Sequence, residues 1–247
     1  DILAQVRNYP IDRDPVQGEL YRRRLFDAES NRRRRKRPLS RAGEPLTPTD
    51  EIRPLAQSQK SLRKREAILR AAIEIINARG FAAATMTDIA AALDVRDAAL
   101  YYYFPNKQAL AFAGHHQSLD RFEAILLAVD AGGGKGLCKL RRLFRAVLDD
   151  AVDNGPQLYF GDNSYLDGAQ RDAIETRTAE LRKTLERFLE EGVADGTIAP
   201  CEPPLVVQLL VGMLIWLVKW TPQTPGLTNE RLLEAIEAMA LRGLARN

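Results

Sequence analysis

The chain has 247 residues, of which 45% are apolar and 28% are charged, the composition of a globular protein with a sizeable core. Two cysteines, Cys138 and Cys201, exclude a disulfide-rich scaffold and fit a reducing, cytoplasmic compartment. The longest apolar run, residues 205–218, is too short to span a bilayer, so we expect a soluble protein in which this run is a buried core helix.

The charge is divided unevenly along the chain. Residues 1–64 carry 16 Lys and Arg and 9 Asp and Glu, a net charge of +7, whereas residues 65–247 carry a net charge of −4. A basic leading segment on an acidic body indicates that one end meets a polyanion.

Residues 1–60 contain six prolines and little periodicity, which predicts a basic, largely irregular extension with one short helix at about residues 15–31. Helical periodicity begins at Ser61. A first amphipathic helix that ends at Gly80 is predicted by apolar residues at spacings of one, three and four: Ile68, Leu69, Ala72, Ile75 and Ile76.

Short elements follow this helix. Thr85 stands three residues before Asp88, the spacing of a capping box, and opens a second helix that runs to about residue 93. A third short helix is predicted at about residues 97–103, and Asn106 caps a long fourth helix over residues 107–129. Further helices fit residues 137–153, 171–196, 203–220 and 229–245. The sequence shows no convincing strand pattern, so we predict an all-α fold.

Two short helices joined by a tight turn and braced by a longer helix form a helix-turn-helix, whose second helix enters the major groove of DNA. Residues 63–110 resemble the DNA-binding domain of the TetR/AcrR family of bacterial regulators. The residues that carry the resemblance are Arg65, Ile68, Leu69, Ala71, Ala72, Gly80, Phe81, Thr85, Thr87, Ile89, Ala90, Val95, Leu100, Tyr101, Phe104, Lys107 and Leu110.

The resemblance implies a three-helix DNA-binding domain at residues 61–108 and a larger helical effector-binding and dimerisation domain at residues 109–247, behind an N-terminal extension at residues 1–60. It implies a homodimeric, ligand-responsive regulator, most commonly a repressor that a small hydrophobic effector releases from a palindromic operator. It implies neither an enzyme nor a cofactor.

Three consecutive tyrosines are unusual in a small packed domain, because burying a hydroxyl without a partner costs about 1–3 kcal/mol. The family pattern implies that Tyr101, Tyr103 and Lys107 contact DNA phosphates and that Tyr102 lies near the groove. The alternative is that one or two of the tyrosines pack with Phe104 and the fourth helix.

Thr85 and Thr87 open the second helix, where exposed backbone amides attract anions, so a phosphate contact is expected for one of them. Thr85 is a plain helix cap in either case.

The base-reading positions of the family fall on Arg96, Asp97, Ala98 and Ala99. Arg96 has the geometry to read guanine as a bidentate donor, and Asp97 can accept from a cytosine amine. The alternative is that Arg96 contacts a phosphate and that Asp97 only favours the helix dipole. The family commonly has a small hydroxyl residue and then a basic or polar residue at the first two positions, so this departure leaves the operator sequence open.

Two arginine runs, Arg22–Arg24 and Arg32–Arg37, lie in the extension. They either add phosphate or minor-groove contacts beside the reading helix or form a solvated tail.

In the family, the C-terminal half holds an effector pocket and a four-helix dimer interface, which would fall here on residues 203–220 and 229–244. The apolar composition favours an effector of hydrophobic or acyl type. The candidate pocket residues, for which plain core packing is the alternative, are Tyr159, Phe160, Tyr165, Met213 and Trp216.

Enzyme interpretations find little support. The stretch "GGGKG" lacks the spacing of a phosphate-binding loop, and His115 and His116 lie about 100° apart on a helix, a poor arrangement for a shared metal ion. Asp149, Asp150 and Asp153 fit a solvated helix face. Two other functions stay open: a helical small-molecule carrier that no longer binds DNA, which Asp97 favours, and an all-α enzyme.

Overall fold

The computed structural model describes residues 59–158 and 163–244. These residues form helices and short connections without a β-strand, which confirms the all-α prediction. The predicted helix at residues 15–31 and both arginine runs lie outside the described residues.

The helices are α1 (Gln59–Arg79), α2 (Met86–Ala92), α3 (Asp97–Tyr101), α4 (Lys107–Ala131), α5 (Gly136–Asn154), α6 (Gly168–Ala194), α7 (Pro203–Trp220), α8 (Asn229–Ile236) and α9 (Arg242–Leu244). A 3₁₀ turn, Thr221–Gln223, follows α7, and a π-helical turn, Glu237–Leu241, joins α8 to α9. We call α1–α3 the head and α4–α9 the body.

Short polar side chains fix where several helices begin. Thr85 and Asp88 form the predicted capping box at α2, in which the Asp88 amide donates to the Thr85 hydroxyl oxygen over 3.0 Å. The Asn106 side chain accepts from the Ala109 amide at the start of α4. Asp167 caps α6 in the same way. The capping pattern of the sequence therefore predicted the starts of α2 and α4 correctly.

The head packs around one small apolar core. Its buried members are Ile68, Leu69, Ala71, Ala72, Met86, Ile89, Ala90, Leu100, Phe104 and Leu110, with Leu93 and Val95 at the edge. Of the apolar residues that predicted the first helix, Ile68, Leu69 and Ala72 belong to this core. Ala91 and Ala98 are exposed.

The body is held by a larger core between α4, α5, α6, α7 and α8. An ion-pair cluster closes one end of it. The buried Lys139 ammonium lies 2.7 Å from the Asp130 carboxylate and 2.6 Å from Glu191. Hydrogen bonds from Arg187 and Lys139 lower the pKa of Asp130 to about 2. A buried lysine is tolerated here because two carboxylates compensate its charge.

Asp150 differs from its prediction. It does not lie on a solvated face, because its carboxylate accepts from Arg121 at 2.5 Å and from the Gln157 side chain at 2.8 Å. Arg121 also donates to the Gly155 carbonyl over 2.7 Å. This network anchors the end of α5 and the connection that leads to α6.

The prediction that α7 is a buried core helix is only half correct. Its buried face carries Val207, Leu210, Leu214 and Leu217, whereas an opposite stripe is exposed at Leu205 (54%), Leu209 (67%), Trp216 (55%) and Trp220 (36%). Pro203–Gln223 is also long and apolar enough to cross a membrane by length and composition, a test that core helices pass as well. Because only 22% of that window is buried, α7 has an apolar face that the protomer leaves uncovered.

His115, in the middle of α4, is 1% exposed and is hydrogen-bonded through Nε2 to the Tyr165 hydroxyl at 2.7 Å. Burial away from water lowers the pKa of His115 to about 4. The imidazole is therefore neutral in the folded protein near pH 7.

This pKa predicts a pH dependence of stability. In the unfolded chain His115 takes up a proton below about pH 6.5, whereas the folded protein resists protonation until about pH 4. Stability is thus lost as the pH falls through this window. We expect the free energy of unfolding to drop by about 2 kcal/mol more in the wild type than in His115→Gln between pH 7 and pH 5.

Denaturant unfolding at the two pH values measures the difference. His116→Gln, on the same helix, is the control and should follow the wild type. Equal pH dependence in the wild type and His115→Gln would contradict the assignment.

Candidate functional site

The tight turn between α2 and α3 sets the direction of α3. Asp94 adopts φ 53°, in the left-handed region that Asp tolerates better than most residues. Arg96 then caps α3 with an extended backbone and makes no capping hydrogen bond with its side chain. The Arg96 side chain is exposed, so it is available to a partner.

The three tyrosines occupy different environments. Tyr101 is 52% exposed and Tyr102 is 81% exposed, whereas Tyr103 is half-buried against the head core. The rings of Tyr102 and Tyr103 meet edge to face, with centroids 5.0 Å apart. The Arg65 guanidinium lies over the Phe104 ring at 5.1 Å, directly after this row. Two of the three tyrosines are thus on the surface, and the third packs against the head core.

Both threonines use their hydroxyl hydrogens inside the protein. The Thr85 hydroxyl donates to Asp88 over 2.6 Å, and the Thr87 hydroxyl donates to Asp97 over 2.6 Å. A hydroxyl has one hydrogen to donate, and a phosphate oxygen only accepts. In this arrangement neither hydroxyl hydrogen is free for a phosphate, and a phosphate contact through the backbone amides at the start of α2 stays a prediction. The contact between Thr87 and Asp97 also ties the start of α2 to the start of α3.

Lys107 is likewise engaged within the protein. Its ammonium donates to the carbonyl oxygens of Phe81 and Ala84, each over 2.7 Å, and lies 4.3 Å from the centre of the Phe81 ring. The turn between α1 and α2 carries these carbonyls. Lys107 therefore stabilises the turn that precedes Thr85.

The positions predicted to read bases fall at one end of α3. Arg96 and Ala98 are exposed, and Ala99 and Asp97 are half-buried. The structure thus places a long cation beside small side chains, with the Asp97 carboxylate already bonded to Thr87. Small side chains at these positions leave room for a close approach of a duplex to α3.

Among the described candidate pocket residues, Tyr165 and Met213 both pack against the body core. Tyr159 and Phe160 lie outside the described residues. Tyr165 is half-buried beside His115, Met213 is half-buried against the body core, and Trp216 is on the exposed stripe of α7. The placement of Trp216 differs from the expectation because α7 packs within the protomer on one face only.

Cavities in the described part of the chain include an open cleft and a small gap. The cleft, of about 470 Å³, lies between α1 and α4, with Leu62, Leu69 and Phe112 among its walls. The gap, of about 20 Å³, lies between α4, α6 and α7, lined by Phe122, Thr178, Leu181, Arg182, Leu185 and Val211. The sequence did not single out these residues, because apolar residues at helical spacing look like ordinary core.

The walls of the gap are almost entirely apolar, although Arg182 is among the residues that line it. The buried Nε of Arg182 has no hydrogen-bond partner among the described residues. The gap holds about one water molecule at most. A larger ligand therefore requires α6 and α7 to separate.

Metal binding finds no support in the described residues, which contain no cluster of three or more His, Cys, Asp or Glu side chains suited to an ion. Cys138 is exposed and Cys201 is half-buried, and both are free thiols.

Comparison with known proteins agrees with this geometry. The sequence model of the tetR family of bacterial regulatory proteins matches residues 68–113, and that of the tetracyclin repressor-like C-terminal domain matches residues 133–244. The HTH-type transcriptional repressor KstR2 of Mycolicibacterium smegmatis is 28% identical over 196 residues, which are 74% of this chain and 92% of KstR2.

Solved structures show the same fold. AibR in complex with isovaleryl coenzyme A and operator DNA matches with a TM-score of 0.61 at 27% identity, over 72% of this chain and 98% of AibR. KstR2 of Mycobacterium tuberculosis matches with a TM-score of 0.59 at 23% identity, over 74% of this chain and 96% of that protein. Because the two family matches cover the head and most of the body, the chain belongs to the TetR/AcrR family of transcriptional regulators, which bind DNA and are not enzymes.

Proposed function

We propose that the protein is a cytoplasmic, homodimeric repressor that a small hydrophobic effector releases from a palindromic operator. Residues 61–108 would read the DNA, and residues 109–247 would bind the effector and form the dimer. The observation that carries the proposal is the outer surface of α3, where Arg96, Tyr101 and Tyr102 are exposed on a short helix fixed by a buried core.

Roles within this surface follow from which groups are free. Tyr101 and Tyr102 would donate to phosphates, which position the protein on the duplex, and Arg96 would read a base. Asp97 is bonded to Thr87, so we assign it to holding α3 against α2. Lys107 donates to two turn carbonyls, so we assign it to the shape of the head in place of the phosphate contact expected from the sequence.

The gap in the body supports an effector of acyl type. Its walls are almost entirely apolar, and the Arg182 guanidinium would supply a cation for an anionic group once α6 and α7 separate. AibR was crystallised with isovaleryl coenzyme A and operator DNA, and KstR2 of Mycolicibacterium smegmatis is a repressor. We infer that an acyl-coenzyme A or a related anionic lipid derivative binds between α4, α6 and α7 and reduces operator affinity.

The exposed stripe of α7 supports the dimer. Leu205, Leu209, Trp216 and Trp220 recur at intervals of four and seven residues along one face, and Met239, after α8, is 72% exposed. A contiguous apolar face of this kind marks an interaction surface. A second copy of the same two helices would cover it in an isologous four-helix interface.

A carrier that does not bind DNA is the main rival function. The negative charge of Asp97 favoured it, because a carboxylate at a reading position repels phosphates. The hydrogen bond from Thr87 gives Asp97 a structural role inside the head, which is a second reason for a carboxylate at this position.

The assignments of Tyr101 and Arg96 predict different consequences for DNA binding. Tyr101→Phe removes a hydroxyl that donates to a charged oxygen, so affinity should fall about tenfold on specific and random DNA alike. The slope of log affinity against log salt should stay unchanged, because a phenol releases no counterion. Arg96→Ala should relax the preference at one base position by about 1–3 kcal/mol.

Fluorescence anisotropy with a set of single-base operator variants measures both effects. Arg141→Ala, which removes an exposed arginine of the body, is the control and should bind as the wild type does. A uniform loss with a shallower salt slope for Arg96→Ala would show that Arg96 contacts a phosphate and would contradict its assignment to a base.

The dimer proposal predicts that Leu209→Glu gives a monomer, because a carboxylate in an apolar interface is buried without a partner. Leu127→Glu is a matched control, since Leu127 on α4 is 64% exposed and Leu209 is 67% exposed. Sedimentation velocity should show a monomer for Leu209→Glu and a dimer for Leu127→Glu. A dimeric Leu209→Glu protein would place the interface elsewhere.

A further inference from the structure

One aromatic contact joins the turn of the head to the body. The rings of Phe81, in the turn after α1, and Tyr165, just before α6, stack face to face with centroids 3.7 Å apart and planes inclined by 7°. Buried residues of both parts surround the contact: Ile73, Ile76, Ala84, Ala111 and Leu158. The contact is therefore part of a packed joint.

The position of Tyr165 is set from within the body. Its hydroxyl is hydrogen-bonded to His115, which α4 holds in a buried site. The backbone before it is anchored too, because the Leu158 amide donates to the Ser118 hydroxyl over 2.8 Å. A change in α4 therefore acts on the Tyr165 ring.

The position of Phe81 in turn sets the start of α2. The Lys107 ammonium contacts the Phe81 ring and donates to the carbonyls of Phe81 and Ala84. Ala84 directly precedes Thr85, the cap of α2, and Thr87 in the first turn of α2 is bonded to Asp97 of α3. A continuous series of contacts thus connects Tyr165 with the start of α3.

A second set of contacts holds the end of α1 at the same joint. The Asn77 side chain donates to the backbone carbonyl of Gln157 over 2.9 Å, and the Lys219 ammonium donates to the Asn77 carbonyl. Gln157 belongs to the connection between α5 and α6, and Lys219 lies at the end of α7. The connection and the helix with the exposed apolar face therefore meet at the end of α1.

We propose that Tyr165 is a positioning residue for operator binding: its stack on Phe81 fixes the turn before α2 and links α4 of the body to the head. This inference rests on the proposed DNA-binding function. It assigns the aromatic side chain a role that requires no contact with DNA or effector.

Operator titrations of four variants test the proposal. Tyr165→Ala should lower operator affinity by up to about tenfold, the size of an aromatic pair interaction. Tyr165→Phe keeps the ring but loses the hydrogen bond to His115, so its loss of operator affinity should be clearly smaller than that of Tyr165→Ala. Phe81→Ala should weaken binding to a similar extent, and the double variant should be no weaker than Phe81→Ala alone, because both changes remove one contact. The salt slope should stay unchanged in every variant, because no phosphate contact is lost.

Sedimentation velocity and thermal unfolding of each variant accompany its titration. A loss of operator affinity is attributed to the missing contact only if the variant is folded and dimeric. If Tyr165→Ala fails to fold, Tyr165→Leu takes its place, since leucine keeps the apolar bulk without the ring. Unchanged operator affinity in Tyr165→Ala, or in Tyr165→Leu where that variant replaces it, would overturn the proposal. It would also be overturned if the losses of binding free energy in the Tyr165 variant and in Phe81→Ala added up fully in the double variant. A loss in Tyr165→Phe equal to that in Tyr165→Ala would also overturn it, by moving the effect to the hydroxyl. A wild-type protein that ignores operator DNA would instead contradict the proposed function itself.

Discussion

A helix of five residues has no stability of its own in water, because nucleation costs more than one or two turns return. The α3 helix exists because Leu100 is fully buried and Phe104 is 3% exposed in the head core, where they pack against α1 and α2. The same burial fixes which face remains outside. Arg96, Tyr101 and Tyr102 lie on that face, so their availability to a duplex follows from the packing of their neighbours.

The polar residues of the head divide into two groups by the same logic. Thr85, Thr87 and Lys107 satisfy carboxylates and carbonyls within the protein, which fixes the starts of α2 and α3 and the turn before them. The exposed side chains of Tyr101, Tyr102 and Arg96 remain available to bind DNA. Since side chains that are already ordered lose less entropy on binding, a head held in this way is suited to recognise a rigid duplex.

The helices, their caps and the head core could be predicted from the sequence, because these features depend on residues three or four positions apart. Contacts between distant segments could not be predicted in this way. Thr87 and Asp97 are ten residues apart, Phe81 and Tyr165 are 84 apart, and Asp150 pairs with Arg121 across 29. The approach of Gly136 to Gly192, where an added Cβ would lie 2.3 Å from a backbone nitrogen, is equally invisible to periodicity. For this reason Asp150 was expected in solvent.

The proposed function depends on residues 85–107 forming a surface that binds a specific duplex. The most direct measurement is a titration of the purified full chain against DNA from upstream of its own gene, with random DNA of equal length alongside, at physiological salt. We expect saturable binding to the upstream DNA at nanomolar concentration and at least about 10³-fold weaker binding to the random duplex. Equal affinity for both duplexes, or no binding even at low salt, would contradict the proposed function.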